Sequence, residues 1–227
     1  MLYNLLDSAC LALGSLIGLL FQKKMSEKVK DALMKAMGLC IIFIGLDLVL
    51  KGKNIILIII SIALGTLIGE ILDIEEKITD FATKIQIRLV KSGNDTFAEA
   101  FVTSSILFCA GAMGIIGALN VGLTGNGETL LTKSIIDGVL AAIFTTTLGI
   151  GVMFSSISVF VYQALFIFLA GVLSQYLSTP VIDSVCGVGG ITIIGIGLNL
   201  SAGSQIKAAN IAPAIFIPMI LSLFGIQ

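Results

Sequence analysis

Three carboxylates fall inside or at the edge of long apolar runs: Asp47, Glu70 and Asp137. A charged side chain at the centre of a membrane span costs about 2.5–3.5 kcal/mol on insertion scales, so such residues face a bundle interior or a watery cavity. Asp47 closes the run from Val29 to Leu48, and Asn199 stands at the matching place of a second run, Val181 to Leu200. Such a pair of oxygen-bearing side chains suits a hard cation or a proton better than a soft metal. The competing reading of Asp47 is an interfacial carboxylate paired with Lys51, one helical turn further on. Glu70 follows Gly65 and Gly69, a small-x-x-x-small pattern that brings helix backbones close. It reads either as an anchor near water or as an ion or proton group. Lys133 and Asp137 are spaced to pair along one helix face, as a brace or as a gate.

Glycine-rich segments offer backbone groups where side chains are apolar. Gly187, Gly189 and Gly190 open one apolar run, Gly111, Gly114 and Gly117 interrupt another, and Pro213 and Pro218 fall inside the last. Broken backbone is tolerated in lipid only against protein or a water-lined cavity, and discontinuous helices at related positions are the usual pointer to a transporter's site. Close helix packing, for which glycine is equally suited, is the competing reading. The hydroxyls of Thr145, Thr146, Thr147, Ser155, Ser156 and Ser158 can line a path or bond their own helix backbone.

Other chemistries lack their actors. The chain has no His, hence no imidazole base or metal ligand. Its cysteines, Cys10, Cys40, Cys109 and Cys186, lie far apart in apolar runs and read as small buried hydrophobes. Gly122 to Thr129, GLTGNGET, lacks the Gly-Lys-(Ser/Thr) ending of a phosphate loop and reads as a flexible external loop. An enzyme is not expected, nor a cofactor, nor a metal centre.

The elements that must position these residues follow from composition. Of 227 residues, 57% are hydrophobic and 12% charged, with a mean hydropathy of +1.10. A soluble domain carries about 25% charged residues, so this chain belongs in a lipid bilayer. A net charge of −1 gives no basic footprint for nucleic acid. With about 20 apolar residues needed per crossing, eight spans emerge, at roughly 2–21, 33–50, 54–73, 98–118, 134–154, 156–177, 181–200 and 207–225. The weakest boundary is the fifth to sixth, where Ser155 and its neighbours offer the turn; a seven-span count is the alternative. The first span carries Asp7 and no positive flank, so it reads as a permanent span and not as a secretory signal.

Ten of the 13 basic residues fall on one side: Lys23, Lys24, Lys28, Lys30 and Lys35, then Lys77, Lys84, Arg88 and Lys91, then Lys207. Lys51, Lys53 and Lys133 are left for the other. The rich side should be cytoplasmic, with both termini outside and Tyr3 and Tyr176 at outer span ends. Between spans three and four, Ile74, Ile78, Phe81, Ile85 and Leu89 recur at spacings of three and four among charges. They predict an amphipathic cytoplasmic helix, a brace for the bundle or a docking element.

VKDALMKAMGLCIIFIGLDL, from Val29 to Leu48, and VIDSVCGVGGITIIGIGLNL, from Val181 to Leu200, share nine of twenty residues without a gap. Spans two and seven run in opposite directions, so the copies predict an inverted repeat of spans one to three against six to eight. Accidental alignment of abundant Gly, Ile and Leu is the alternative. By then Asp47 lies toward the outer face and Asn199 toward the inner, flanking a path without sharing one site.

Gly65-x-x-x-Gly69-Glu70, Phe108-Cys109-x-Gly111-x-Met113 with Gly117, Lys133-Ser134-x-x-Asp137-Gly138, Gly189-Gly190 through Gly195-x-Gly197-Leu198-Asn199, and Asn210-x-x-Pro213-Ala214 follow one another along the chain. In that order they resemble a bacterial membrane family known as the domain of unknown function five-hundred-and-fifty-four. The resemblance implies a protein of the bacterial inner membrane and no particular activity. The expectation is therefore an all-α polytopic bundle. Its parts are a first repeat (1–73), a cytoplasmic amphipathic helix (74–96), two central spans (97–154) and an inverted second repeat (155–227). The expected function is ATP-independent transport or conduction of a small solute or ion, by a homodimer. The alternative is a non-transporting sensor or assembly module acting through the cytoplasmic helix.

Overall fold

In lipid every backbone N–H and C=O must find its partner within the protein, so apolar runs of this length fold as helices. The computed structural model describes residues 1–22, 26–89, 97–109, 111–174 and 177–224, with backbone alone at 27, 81–83, 85–89, 112, 173 and 223. The helices are α1 (Leu2–Gln22), α2 (Glu27–Lys51), α3 (Ile55–Leu72), α4 (Ile74–Leu89), α5 (Phe97–Cys109), α6 (Ala112–Thr124), α7 (Glu128–Leu148), α8 (Gly151–Leu173) and α9 (Thr179–Ala202). The chain closes with α10 (Ala208–Ile211), a 3₁₀ turn (Ala212–Phe216) and α11 (Ile217–Leu223). No strand occurs among the described residues. Lys23, Lys24, Lys91 and Tyr176 lie outside them.

Among the described residues six helices, α1, α2, α3, α7, α8 and α9, are long and apolar enough to cross a membrane. The fourth expected span is divided: α5 and α6 are bent by 60° at the break after Cys109. The eighth is divided too, because Pro213 and Pro218 each lack an N–H and sit at the first turn of a new segment. The boundary expected at Ser155 lies earlier. α7 ends at Leu148, Gly149 turns the chain with φ 88°, and Ser155 is buried within α8 with its hydroxyl on the Val152 carbonyl. Gly149 carries that turn because a positive φ is strained for residues with a Cβ. The external loop is also shorter than GLTGNGET suggests, since Gly125, at φ 75°, ends α6 and Glu128 already begins α7. Asp73, at φ 47°, separates α3 from α4 in a single left-handed residue.

α9 is the axis of the bundle: 72% of its most apolar stretch is buried, against 22 to 39% in the other five crossing helices. Of the two readings of Gly187, Gly189 and Gly190, a break in the helix is absent, and α9 runs unbroken. Its glycines instead let α2 approach. A Cβ on Gly38 would meet the Gly197 carbonyl oxygen at 2.9 Å, and one on Gly197 would meet that of Gly38 at 2.7 Å. Likewise Gly45 would meet the Gly190 carbonyl oxygen at 2.7 Å, and Gly190 that of Gly45 at 2.5 Å. The two helices are therefore antiparallel. α1 and α7 form a second close pair, parallel, with Gly14 on the Gly138 carbonyl and Gly18 on that of Ala142. Rows of exposed apolar side chains, including Phe43, Ile55, Ile59, Leu165 and Phe168, cover the outside. For a membrane protein that is the lipid-facing surface.

Candidate functional site

The parallel packing of α1 on α7 joins Asp7 to Lys133 across 126 residues of sequence. Asn4 and Asp7 are one turn apart on α1 and both fully buried, as is Gln163 on α8. Lys133 and Asp137 share a face of α7 and are each 5% exposed. The Lys133 ammonium donates to Asp7 Oδ2 at 3.0 Å and to Asp137 Oδ2 in a short contact. The Gln163 amide also donates to Asp7 Oδ2, and the Asn4 amide donates to the Phe160 carbonyl at 3.0 Å.

Gly114 on α6 completes the wall: a Cβ there would touch Lys133 Cε at 3.6 Å and Tyr162 Cε1 at 3.8 Å. Gly114 stands only three residues past Gly111 at the start of α6, so the α5/α6 break borders the charges. Asp137 lies nine residues from the start of α7 (137 − 128) and eleven from its end (148 − 137). At about 1.5 Å per residue that is mid-depth. Gln163 is similarly central in α8.

Two carboxylates and one ammonium make this a buried cluster of formal charge −1. Such a charge in a low-dielectric interior is costly unless paired and hydrogen-bonded. The pairing is incomplete: Asn4 Oδ1, Asp7 Oδ1, Gln163 Oε1 and the Tyr162 hydroxyl are buried with no partner.

A second polar group closes the other end of the bundle. The Glu75 N–H donates to Asn210 Oδ1 at 2.7 Å, and the Ala209 N–H donates to Glu75 Oε2 at 3.2 Å. Burial pushes the Glu75 carboxyl above its ordinary range, opposed by the Ala209 N–H and by Lys207. Lys207 also stands 3.5 Å from Glu70. Asn199 is used in bracing the α9–α10 turn: its Oδ1 accepts from the Ile206 N–H and the Ser204 hydroxyl, and its Nδ2 donates to the Ile206 carbonyl. A cavity of about 180 Å³ opens here, lined by Glu75, Glu99, Thr103 and Asn199 among others.

Of the residues the sequence singled out, Lys133, Asp137 and Gly114 come together at the charged cluster. Asp47 is exposed and pairs with Lys51 at 2.8 Å. Its end of α2 lies opposite the end of α9 that carries Asn199, so the two share no site. Glu70 is exposed at the foot of α3. Gly111 has nothing within 4 Å of a would-be Cβ, Gly117 packs on Leu130, and Gly187 packs on Ile58 and Gly52. Lys133 is no loop charge but an interior one, which removes it from the sparse side of the charge count. Asp7, Asn4 and Gln163 were missed. Asp7 lies inside the first predicted span, where the insertion cost that marks Asp137 applies equally; reading it only as evidence against a signal sequence hid it.

Residues 4–223 match the profile of the family described as "Protein of unknown function (DUF554)". The chain is 28% identical over 232 residues to the "Uncharacterized membrane protein YdfK" of Bacillus subtilis, covering 99% of this chain and 98% of that one. It is 29% identical over 221 residues to the "Uncharacterized protein YqgA" of Escherichia coli, covering 96% and 94%. No solved structure matches.

Proposed function

The chain belongs to the DUF554 family, and from that premise we propose that it is an ATP-independent transporter or channel for a small solute or ion, with the Asp7–Lys133–Asp137 cluster as its working centre. The observation that carries this reading is the cluster itself, three ionisable groups buried between α1, α7 and α8, with Asp137 at mid-depth and Asp7 and Lys133 each five residues in from the start of its helix. Charges held there usually mark a substrate or ion pathway. The α5/α6 break beside them supports it further, since non-helical backbone at membrane depth goes with protein-lined or watery cavities.

The same proposal covers the finer architecture. Eight crossings arise if α5 with α6 is one bent span and α10 to α11 another. The α2–α9 contacts support an inverted repeat: equivalent residues of the echo meet crosswise, Gly38 with Gly197 and Gly45 with Gly190. α4, tied by Glu75 to Asn210 and Ala209, then acts as a cytoplasmic brace. The protein is a homodimer of the bacterial inner membrane and performs no covalent chemistry. Crosslinking in membranes would report the dimer.

Purified protein in proteoliposomes should pass a proton, a monovalent ion or a common metabolite down its gradient, and Asp137→Asn should reduce that flux at least tenfold. If none of these crosses faster than in protein-free vesicles, the transport reading fails.

A further inference from the structure

We infer that the cluster binds one monovalent alkali-metal cation, held by the unpartnered oxygens of Asp7, Asn4 and Gln163 beside the Lys133 ammonium. This rests on the transport reading above and names its substrate class.

The argument begins with which atoms are left over. Gln163 turns its Nε2 to the Asp7 carboxylate, and Asn4 turns its Nδ2 to the Phe160 carbonyl. Both acceptors demand a nitrogen donor, so amide chemistry fixes that the oxygens are the unsatisfied atoms. Together with Asp7 Oδ1 they make three buried acceptors without a donor. Asn4 and Asp7 lie on one face of α1, and their partners Phe160 and Gln163 lie on one face of α8, so the three belong to one seam.

Charge comes next. The two aspartates and one lysine sum to −1, and one positive charge closes the balance; a divalent ion would overshoot it. Oxygen donors of carboxylate and amide type, with no sulfur or imidazole offered, suit hard cations. A proton on Asp7 would restore neutrality too. It supplies a single hydrogen-bond donor, whereas a cation engages several oxygens at once.

Lys133 is then the tethered competitor of the bound ion. Its ammonium already spans both carboxylates, and a second positive charge on the same Asp7 loosens that grip.

The probe is the alkali chloride alone. The full chain in detergent is melted in NaCl, KCl, LiCl and choline chloride at constant ionic strength. A saturable rise in melting temperature is expected with at least one alkali ion and not with choline, as ligand binding to the folded state requires. Gln163→Met should weaken the apparent affinity at least tenfold, and Asp7→Asn should abolish the effect. Equal melting of the wild type in all four salts overturns the proposal, and so does stabilisation by acid alone, which would mark a proton site. The wild-type series stands even where a variant does not fold. Ion binding without flux in vesicles would sink the transport reading and keep the site. Flux of a solute with no alkali-specific stabilisation would sink the site and keep transport.

Discussion

At the residue scale the chain concentrates its cost in one place. Lys133 sits between two carboxylates with almost no access to solvent, so its removal leaves two facing negative charges without compensation. Lys133→Met is expected to destabilise the protein by roughly 3–5 kcal/mol, the cost of breaking a buried ion pair from one side. Adding Asp137→Leu should recover part of that loss, because the interior charge returns from −2 to −1. A double-mutant cycle on thermal unfolding in detergent reads the coupling, and strictly additive losses would show that the ammonium does not serve both carboxylates. Glu75 gives a second handle, outside the spans. Its carboxyl, raised by burial, holds its proton more tightly folded than unfolded. Stability from this group is therefore greatest below the ordinary carboxylate range and falls as pH rises through the raised value. Glu75→Gln should flatten that slope in melting curves taken across acidic pH. Two of the three ionisable residues of the central cluster were legible in advance: Lys133 and Asp137 stand one turn apart in the sequence itself. Asp7 was not, because its partnership depends on how α1 docks on α7, 126 residues away, and no local pattern encodes that.

At the element scale, helix positions could be read because apolar length is a one-dimensional property, while breaks could not be placed as well. Ser155 looked like a turn only because it is polar; its hydroxyl bonds back to its own helix, and the left-handed Gly149 turns the chain. Glycine had two readings at Gly187 to Gly190, rupture or close packing, and sequence carries no distance with which to choose. The structure supplies one. The Gly38 and Gly190 positions meet obstacles of the same kind, the backbone of Ser201 and of Val49, and Gly45 and Gly197 meet the backbones of Ile194 and Ile42. Ile42 and Ile194 are counterparts within the echo, and Val49 and Ser201 are the residues that follow it in the same register. Gly45→Ala and Gly197→Ala should thus destabilise by similar amounts, roughly 1–3 kcal/mol each as overpacked sites. Gly171→Ala, where an added Cβ would have nothing within 4 Å, should be neutral or stabilising by up to about 1 kcal/mol through helix propensity. Widely different losses at Gly45 and Gly197 would deny the two helices an equivalent role.

At the scale of the whole molecule, direction was more legible than mechanism, because parity of crossings follows from counting alone. The start of α1 lies against the start of α7, where Gly127 abuts the Tyr3 ring, and the end of α1 lies near the end of α7, where Gln22 Nε2 would be 3.2 Å from a Cβ on Gly149. α3 runs against the closing segment, with Gly65 on Ala214 and Gly69 on Asn210. These contacts put the lysine-bearing ends near Lys28, Lys77 and Lys207 on one side, and Lys51 and Lys53 on the other. With Lys133 taken out of the loops and into the interior, the charge bias becomes ten against two (13 − 1 − 10 = 2), and short-loop bias of that size sets orientation toward the cytoplasm. Both termini are then expected outside. A reporter active only outside the inner membrane should work when fused after Gln227 or in the loop between α6 and α7 at Asn126, and should be silent when fused between α9 and α10 at Gln205. A reporter that instead works at Gln205 and fails at Asn126 would invert the molecule. A reporter active at Asn126 but silent after Gln227 would reduce α10 to α11 to a re-entrant segment and the count to seven. In that case α9 would keep its antiparallel partner, yet the second repeat would lose its third member, and the inverted-repeat account of the bundle would fall while the Asp7–Lys133–Asp137 centre stayed where it is.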